Sequence, residues 1–164
     1  MIRGAGALWL CVVLATATVC AAPEKADKEQ DKTKETDPSV NEELLKGLTG
    51  RDREARDRAL QELGKLGADA VPTLKAGLKA TDPEARLGVL ALIAKLGVDA
   101  KPALSAVAGL LKDDSLIVRR QTALTLAALG PHAGGAVEAL TEALRDKDRE
   151  TRLLAAYALE KIAK

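Results

Sequence analysis

The sequence predicts an all-α domain of stacked helix pairs, an α-solenoid, behind a leader and a charged tether. Three observations predict it. One five-residue phrase recurs: Asp52-Arg53-Glu54-Ala55-Arg56, Asp82-Pro83-Glu84-Ala85-Arg86, Ser115-Leu116-Ile117-Val118-Arg119 and Asp148-Arg149-Glu150-Thr151-Arg152. The closing arginines are 30, 33 and 33 residues apart, a period that signals stacked modules in place of one closed core. Finally, 47% of the residues are hydrophobic while 1% are aromatic and none is Phe. The interior must then be built from Leu, Ala, Val and Ile, and Ala and Leu are the best helix formers.

Residues 1–21 read as a signal peptide. Arg3 supplies the positive end, Ala7 to Val19 form the apolar stretch, and Val19-Cys20-Ala21 offers small residues for cleavage after Ala21. Two alternatives keep the chain at a membrane. The apolar run from Gly4 to Ala22 can be retained as an anchor near the lower length limit for a span, or Cys20 can carry a lipid. Cys11 and Cys20, the two cysteines of the chain, both fall here. The exported domain is therefore expected to have no disulfide, thiolate metal site or cysteine nucleophile. Residues 22–37 are charged and carry no large apolar side chain, so they are expected to stay disordered as a linker.

The repeat domain is assigned to 38–164, as four helix pairs at about 38–66, 69–96, 99–129 and 132–164. The arginine-bearing helix of each pair starts at Asp52, Asp82, Ser115 or Asp148, whose side chains can accept from first-turn amides. Glu54, Glu84 and Glu150 suit the positive end of the helix dipole, and Pro83 stands where a missing donor costs nothing. Leu60, Leu63 and Leu66 begin an apolar stripe of period near 3.6 that later copies repeat, as in Leu90, Ile93 and Leu96. Gly67, Gly97 and Gly130 follow each stripe at one offset and fit a left-handed C-cap.

The other helix of each pair is expected to begin around Pro72, Pro102 and Gly135. That alignment pairs Leu74 with Leu104 and Val137, Val107 with Leu140, and Leu111 with Leu144, and Leu44 and Leu48 join the last two sets. It places the three-residue difference in repeat length between Pro72 and Asp82.

Val71-Pro72-Thr73-Leu74 and Asp82-Pro83-Glu84-Ala85-Arg86, closing on Ala94-Lys95-Leu96-Gly97, resemble HEAT repeats, and among them the bacterial variety called PBS-lyase HEAT-like. The resemblance implies an ARM/HEAT-type superhelix with the arginine-bearing helices on its concave face. It also implies a ladder in which an Asp near each interhelical turn pairs with the arginine of a neighbouring repeat. Arg56, Arg86, Arg119 and Arg152 match the arginines, while Asp113 and Asp146 match the acids. Gly50 and Ala80 stand at that place in the first two copies, leaving the ladder either incomplete or completed by Asp52 and Asp82.

No catalytic constellation is legible. His132 is the single histidine, no Ser has a neighbouring base, and no glycine-rich phosphate loop appears. The expectation is a non-enzyme without cofactor or metal. The formal charge of +1 and the lack of aromatic platforms argue against nucleic acid. Candidate partner-binding residues are Leu87, Arg120, Leu124, Leu153 and Tyr157, one or five positions after an arginine, together with Leu154 on the last helix. Leu153, Leu154, Tyr157, Leu159 and Ile162 leave that helix apolar with no following repeat to cover it. The function expected is an exported scaffold that binds a protein or peptide through the concave face or the C-terminal end, including a second copy of itself through the last helix. The alternative, an accessory or lyase-type protein acting on a cofactor-bearing partner, rests on the family name alone.

Overall fold

The computed structural model describes residues 38–164. The signal-peptide and linker assignments at 1–21 and 22–37 lie outside the described residues.

Eight α-helices run in chain order among the described residues: α1 Pro38–Thr49, α2 Arg53–Leu66, α3 Val71–Gly77, α4 Pro83–Leu96, α5 Leu104–Gly109, α6 Leu116–Leu129, α7 Val137–Ala143 and α8 Arg149–Ile162. They form four pairs in an all-helical solenoid. The even-numbered, arginine-bearing helices stack on one another, α2 on α4 on α6 on α8, and the odd-numbered helices form the second layer. The core runs between the layers. Leu48, Leu63, Leu74, Leu90, Ile93, Val107, Leu126 and Leu140 are fully buried, and each such side chain stabilises by about 1.5–3 kcal/mol relative to exposure.

Local chemistry explains the element ends. The Asp52 and Asp82 carboxylates accept from the amides of Glu54 and Glu84 at 3.0 and 3.1 Å, and Asp148 accepts from the Thr151 amide at 2.7 Å. Ser115 does not cap α6 with its hydroxyl. Its own amide instead donates to Asp113 Oδ1 at 2.8 Å, an aspartate that the first two copies lack at that place. Gly67, Gly97 and Gly130 have φ of 58°, 58° and 54°. Their ψ values, −124°, −122° and −132°, are not those of the expected left-handed helix cap. They match the first central residue of a type II′ turn, which glycine alone adopts freely. This geometry throws the chain directly into a short 3-10 segment.

Those segments carry the difference in repeat length. The 3-10 turn is Gly67–Ala70 in one copy but Gly97–Ala103 and Gly130–Ala136 in the next two. The odd-numbered helices then begin at Val71, Leu104 and Val137, equally far from their arginines. The expected alignment therefore shifts. Leu74 corresponds to Val107 and Leu140, all fully buried, and the extra residues lie before the helix, not between Pro72 and Asp82. Proline misleads as an anchor because it fits a 3-10 turn as well as the first turn of a helix.

The arginine ladder is present. Arg56 donates to Asp82, Arg86 to Asp113 at 2.9 Å, and Arg119 to Asp146 through Nε at 2.9 Å and Nη2 at 3.3 Å. Asp82 thus takes the place that Ala80 cannot fill. Each arginine also binds carbonyls of its own interhelical turn: Gly50, Ala80, Asp113 and Asp146 for Arg56, Arg86, Arg119 and Arg152 in turn. One guanidinium thus ties its own turn to the next repeat.

Candidate partner-binding face

The residues one and five positions after each arginine share the outward side of the even-numbered layer. Asp57 and Gln61 are exposed on α2. Along α4, Leu87 is half-buried and Ala91 exposed. The later helices turn the strip apolar: Leu124, Leu153 and Tyr157 are all exposed, Leu153 by 57%. Lys161 places its ammonium 5.1 Å from the Tyr157 ring centre, a cation–π contact that holds the ring in place.

The structure adds Ile117, which is 60% exposed. It stands two positions before Arg119, where the other copies carry Glu54, Glu84 and Glu150. That break in the phrase was the available signal. Ile117 meets Leu87 and Ala91 in a recess of about 400 Å³ whose lining also includes Arg53, Asp57 and Glu84. Next to it, a groove of about 530 Å³ runs between α2 and α4, lined by Leu60, Gly64, Gly88 and Leu92. The two share Asp57, Leu60, Gly88 and Ala91, so they form one trough. Gly88 makes room for the Leu60 side chain, which an added Cβ there would meet at 2.6 Å, and Gly64 faces Leu92 at ordinary contact distance.

Two of the sequence candidates serve the fold. Arg120 makes a bidentate pair with Asp148 at 2.9 and 2.8 Å and reaches Glu150 at 2.5 Å. It acts as a second tie between α6 and α8. The hydrogen bonds from Arg120 hold the Asp148 carboxyl well below the usual carboxylate range, and the Thr151 amide and hydroxyl add to this. Leu154 is half-buried against the core. Leu87 is likewise half-buried against the core, while Leu124, Leu153 and Tyr157 remain exposed on the face.

A further recess of about 350 Å³ lies at the turn edge of the last two repeats, among Lys112, Asp114, Arg119, Glu142, Arg145 and Asp146. The Lys112–Glu142 ion pair at 2.6 Å spans it and raises the Lys112 ammonium above its ordinary value, chiefly by the hydrogen bond. His132 is exposed on the Gly130–Ala136 turn. Among the described residues no three His, Cys, Asp or Glu side chains gather as a metal site.

The family model described as HEAT repeats matches residues 41–127. Among solved structures, the chain is similar to the crystal structure of an engineered protein, with a TM-score of 0.52 and 24% identity over 76% of this chain. The chain spans 62% of that protein's length, and identity this low speaks for the fold alone. No curated protein matches the chain.

Proposed function

The chain belongs to the HEAT-repeat family, and from that premise we propose that it is an exported, non-catalytic scaffold that binds a protein or peptide along its arginine-helix face. Solenoids of this kind use extended surfaces of stacked helices for binding. The observation that carries the reading is Ile117, an exposed isoleucine where the other three copies place glutamate. It continues a line of apolar groups through Leu124, Leu153 and Tyr157. Charged side chains rim the trough beside Leu87: Arg53, Asp57 and Glu84. An apolar centre with a polar rim is the anatomy of a protein interface, and Tyr beside Leu and Ile supplies anchors.

The partner that fits is a segment with two or three apolar side chains flanked by mixed charge. Export is supported by the leader pattern of Met1 to Ala21, and a retained or lipidated leader would keep the same face at a membrane. The test is crosslinking with mass spectrometry in the native envelope, comparing the unaltered chain with Ile117→Glu and Tyr157→Glu. The expected result is one reproducible partner that both variants lose while keeping their helical signal. An unchanged set of crosslinked proteins would refute the assignment of this face.

A further inference from the structure

Four positions of each even-numbered helix fall on the partner-binding face: two before its arginine, then one, five and nine after it. Steps of three and four keep them on one side of a helix. Across the stack these positions make four rows. The first row is acidic, with Glu54, Glu84 and Glu150, and the last is basic, with Lys65, Lys95 and Lys161. Between them run the two rows that turn mostly apolar beyond α2.

Helix dipoles account for such rims, since acids suit the first turn of a helix and bases the last. They do not account for a break in both rims at the same helix. On α6 the first row holds Ile117 and the last holds Ala128, both exposed. Leu124 lies between them, 41% exposed, and the fourth side chain on that line, Arg120, is taken by Asp148 and Glu150. An apolar lane therefore runs lengthwise over α6, about 16 Å from Ile117 to Ala128 at the rise of a helix. Leu87 and Ala91 flank it on α4, and Leu153 and Tyr157 flank it on α8.

The two ends of the lane differ in sign. Glu84 shares a recess with Ile117, and Lys95 stands in the row of Ala128. Among the described residues neither Glu84 nor Lys95 has an ion-pair partner, whereas Glu150 is held by Arg120 and Lys161 lies over Tyr157. Arg53 and Asp57 also line the recess of Ile117, from α2. They are opposite in sign and leave that wall neutral on balance, so Glu84 sets the charge of its end.

We propose that the occupant of this lane is an amphipathic helix of about three turns, lying over α6 and antiparallel to it, which rests on the binding face proposed above and adds the shape, direction and charge order of what it binds. Its apolar stripe, at the i, i+3 or i+4, i+7 spacing, meets Ile117, Leu124 and Tyr157. Its basic end meets Glu84 and its acidic end meets Lys95. Acids collect at helix N-termini and bases at C-termini, so an ordinary helix carries the matching charge order only when it runs opposite to α6. An extended peptide crossing the stack is the competing occupant. It would follow the two middle rows, which on α2 become Asp57 and Gln61 and give it no apolar contact, and it would make no use of the break in both rims.

The test uses the full chain and two fluorescent peptides of one composition and one apolar stripe, each held helical by a lactam bridge. One has an acidic first turn and a basic last turn, and the other has these interchanged. Anisotropy titration at low salt should show the first bound about tenfold more tightly, as exposed charge contacts at both ends change from attractive to repulsive. The ratio should shrink in high salt. In the double variant Glu84→Lys, Lys95→Glu the preference should reverse, which the peptides' own helicity cannot cause. Ile117→Glu should weaken both peptides. If it does while the double variant keeps the original preference, the face stands and the antiparallel helix is refuted. Failure of both peptides to bind, or binding indifferent to Ile117→Glu, also overturns the helix, and the crosslinking result then decides the face by itself.

Discussion

Replacing Arg119 by Met should destabilise the domain far more than replacing Arg152 by Met, although both occupy one place in the repeated phrase. Arg119 is buried and makes four hydrogen bonds, two to Asp146 and two to the carbonyls of Asp113 and Asp114. The Asp146 side chain is 11% exposed, so the substitution strands a carboxylate with little water. Breaking a buried pair from one side costs about 3–5 kcal/mol. Asp146 also accepts from the Asp148 amide at 2.8 Å, which places the cost near the lower end, about 3 kcal/mol. Arg152 leaves no carboxylate behind and gives up two carbonyl bonds near the surface, at about 1 kcal/mol. Thermal and urea unfolding followed by circular dichroism should separate the two. At about 4 °C per kcal/mol for a domain of this size, the Tm falls by about 12 °C against about 4 °C. Adding Asp146→Leu to Arg119→Met should recover part of the loss, because it leaves no unpaired charge, while the Asp148 amide and the Asp113 and Asp114 carbonyls still lose their partners. Equal losses for Arg119→Met and Arg152→Met, or a loss below about 1 kcal/mol for Arg119→Met, would refute the ladder as the tie between repeats.

Gly130→Ala should cost about 1–3 kcal/mol from backbone strain, since φ is 54° there and an added Cβ meets ordinary contact at 3.8 Å from the Lys161 carbonyl. Gly134→Ala, where no neighbour is near and φ is not positive, should be close to neutral in the same unfolding assay. Asp148 binds its proton more weakly when folded. Its contribution is complete above about pH 4, the ordinary carboxylate value, and fades as the pH falls below that toward the depressed folded-state value. Arg120→Met should flatten that part of a stability-against-pH curve. Ile117→Glu should leave the unfolding midpoint within about 0.5 kcal/mol of the original, as an exposed change does, while abolishing partner capture.

What was legible in the sequence was what repeats. The arginine period, the stripe from Leu60 to Leu66 and the glycine after it follow from helix geometry and local chemistry, and the structure keeps them. Ser115 shows where that reasoning stops. Its type suits an N-cap, yet Asp113 two residues earlier takes its amide, and the hydroxyl does no capping. The odd-numbered helices were misregistered because prolines were matched in place of buried side chains. Leu74, Val107 and Leu140 share full burial, whereas Pro72 lies in α3 and Pro102 in a 3-10 turn. Partner choice among charges was also hidden. Arg120 has the composition of a surface group, and only the fold brings Asp148 and Glu150 to it. Ile117 was visible as a departure from the phrase, but a departure gains meaning only once its exposure is known.

The joints differ in strength along the array, and this bears on how the binding face works. Arg119 engages Asp146 through two nitrogens, with Arg120 bound beside it to Asp148. Arg56 and Arg86 each use one nitrogen on their aspartate, and the Nε of each is buried without a partner. The first joint also holds the open trough beside Gly64 and Gly88, while the last is packed through Ala123, Ala127 and Ala155. Stability in a solenoid is a sum of neighbour terms, so local opening should begin at α1 and α2 and reach α6 and α8 last. Amide exchange should then be fastest in residues 38–66 and slowest in α6. The apolar anchors Leu124, Leu153 and Tyr157 stand on the rigid half, where a partner meets preorganised groups and little ordering cost. The trough under Leu60 stands on the yielding half, where α2 can shift against α4 to fit a side chain. Slow exchange throughout α2, or fast exchange in α6, would contradict this division.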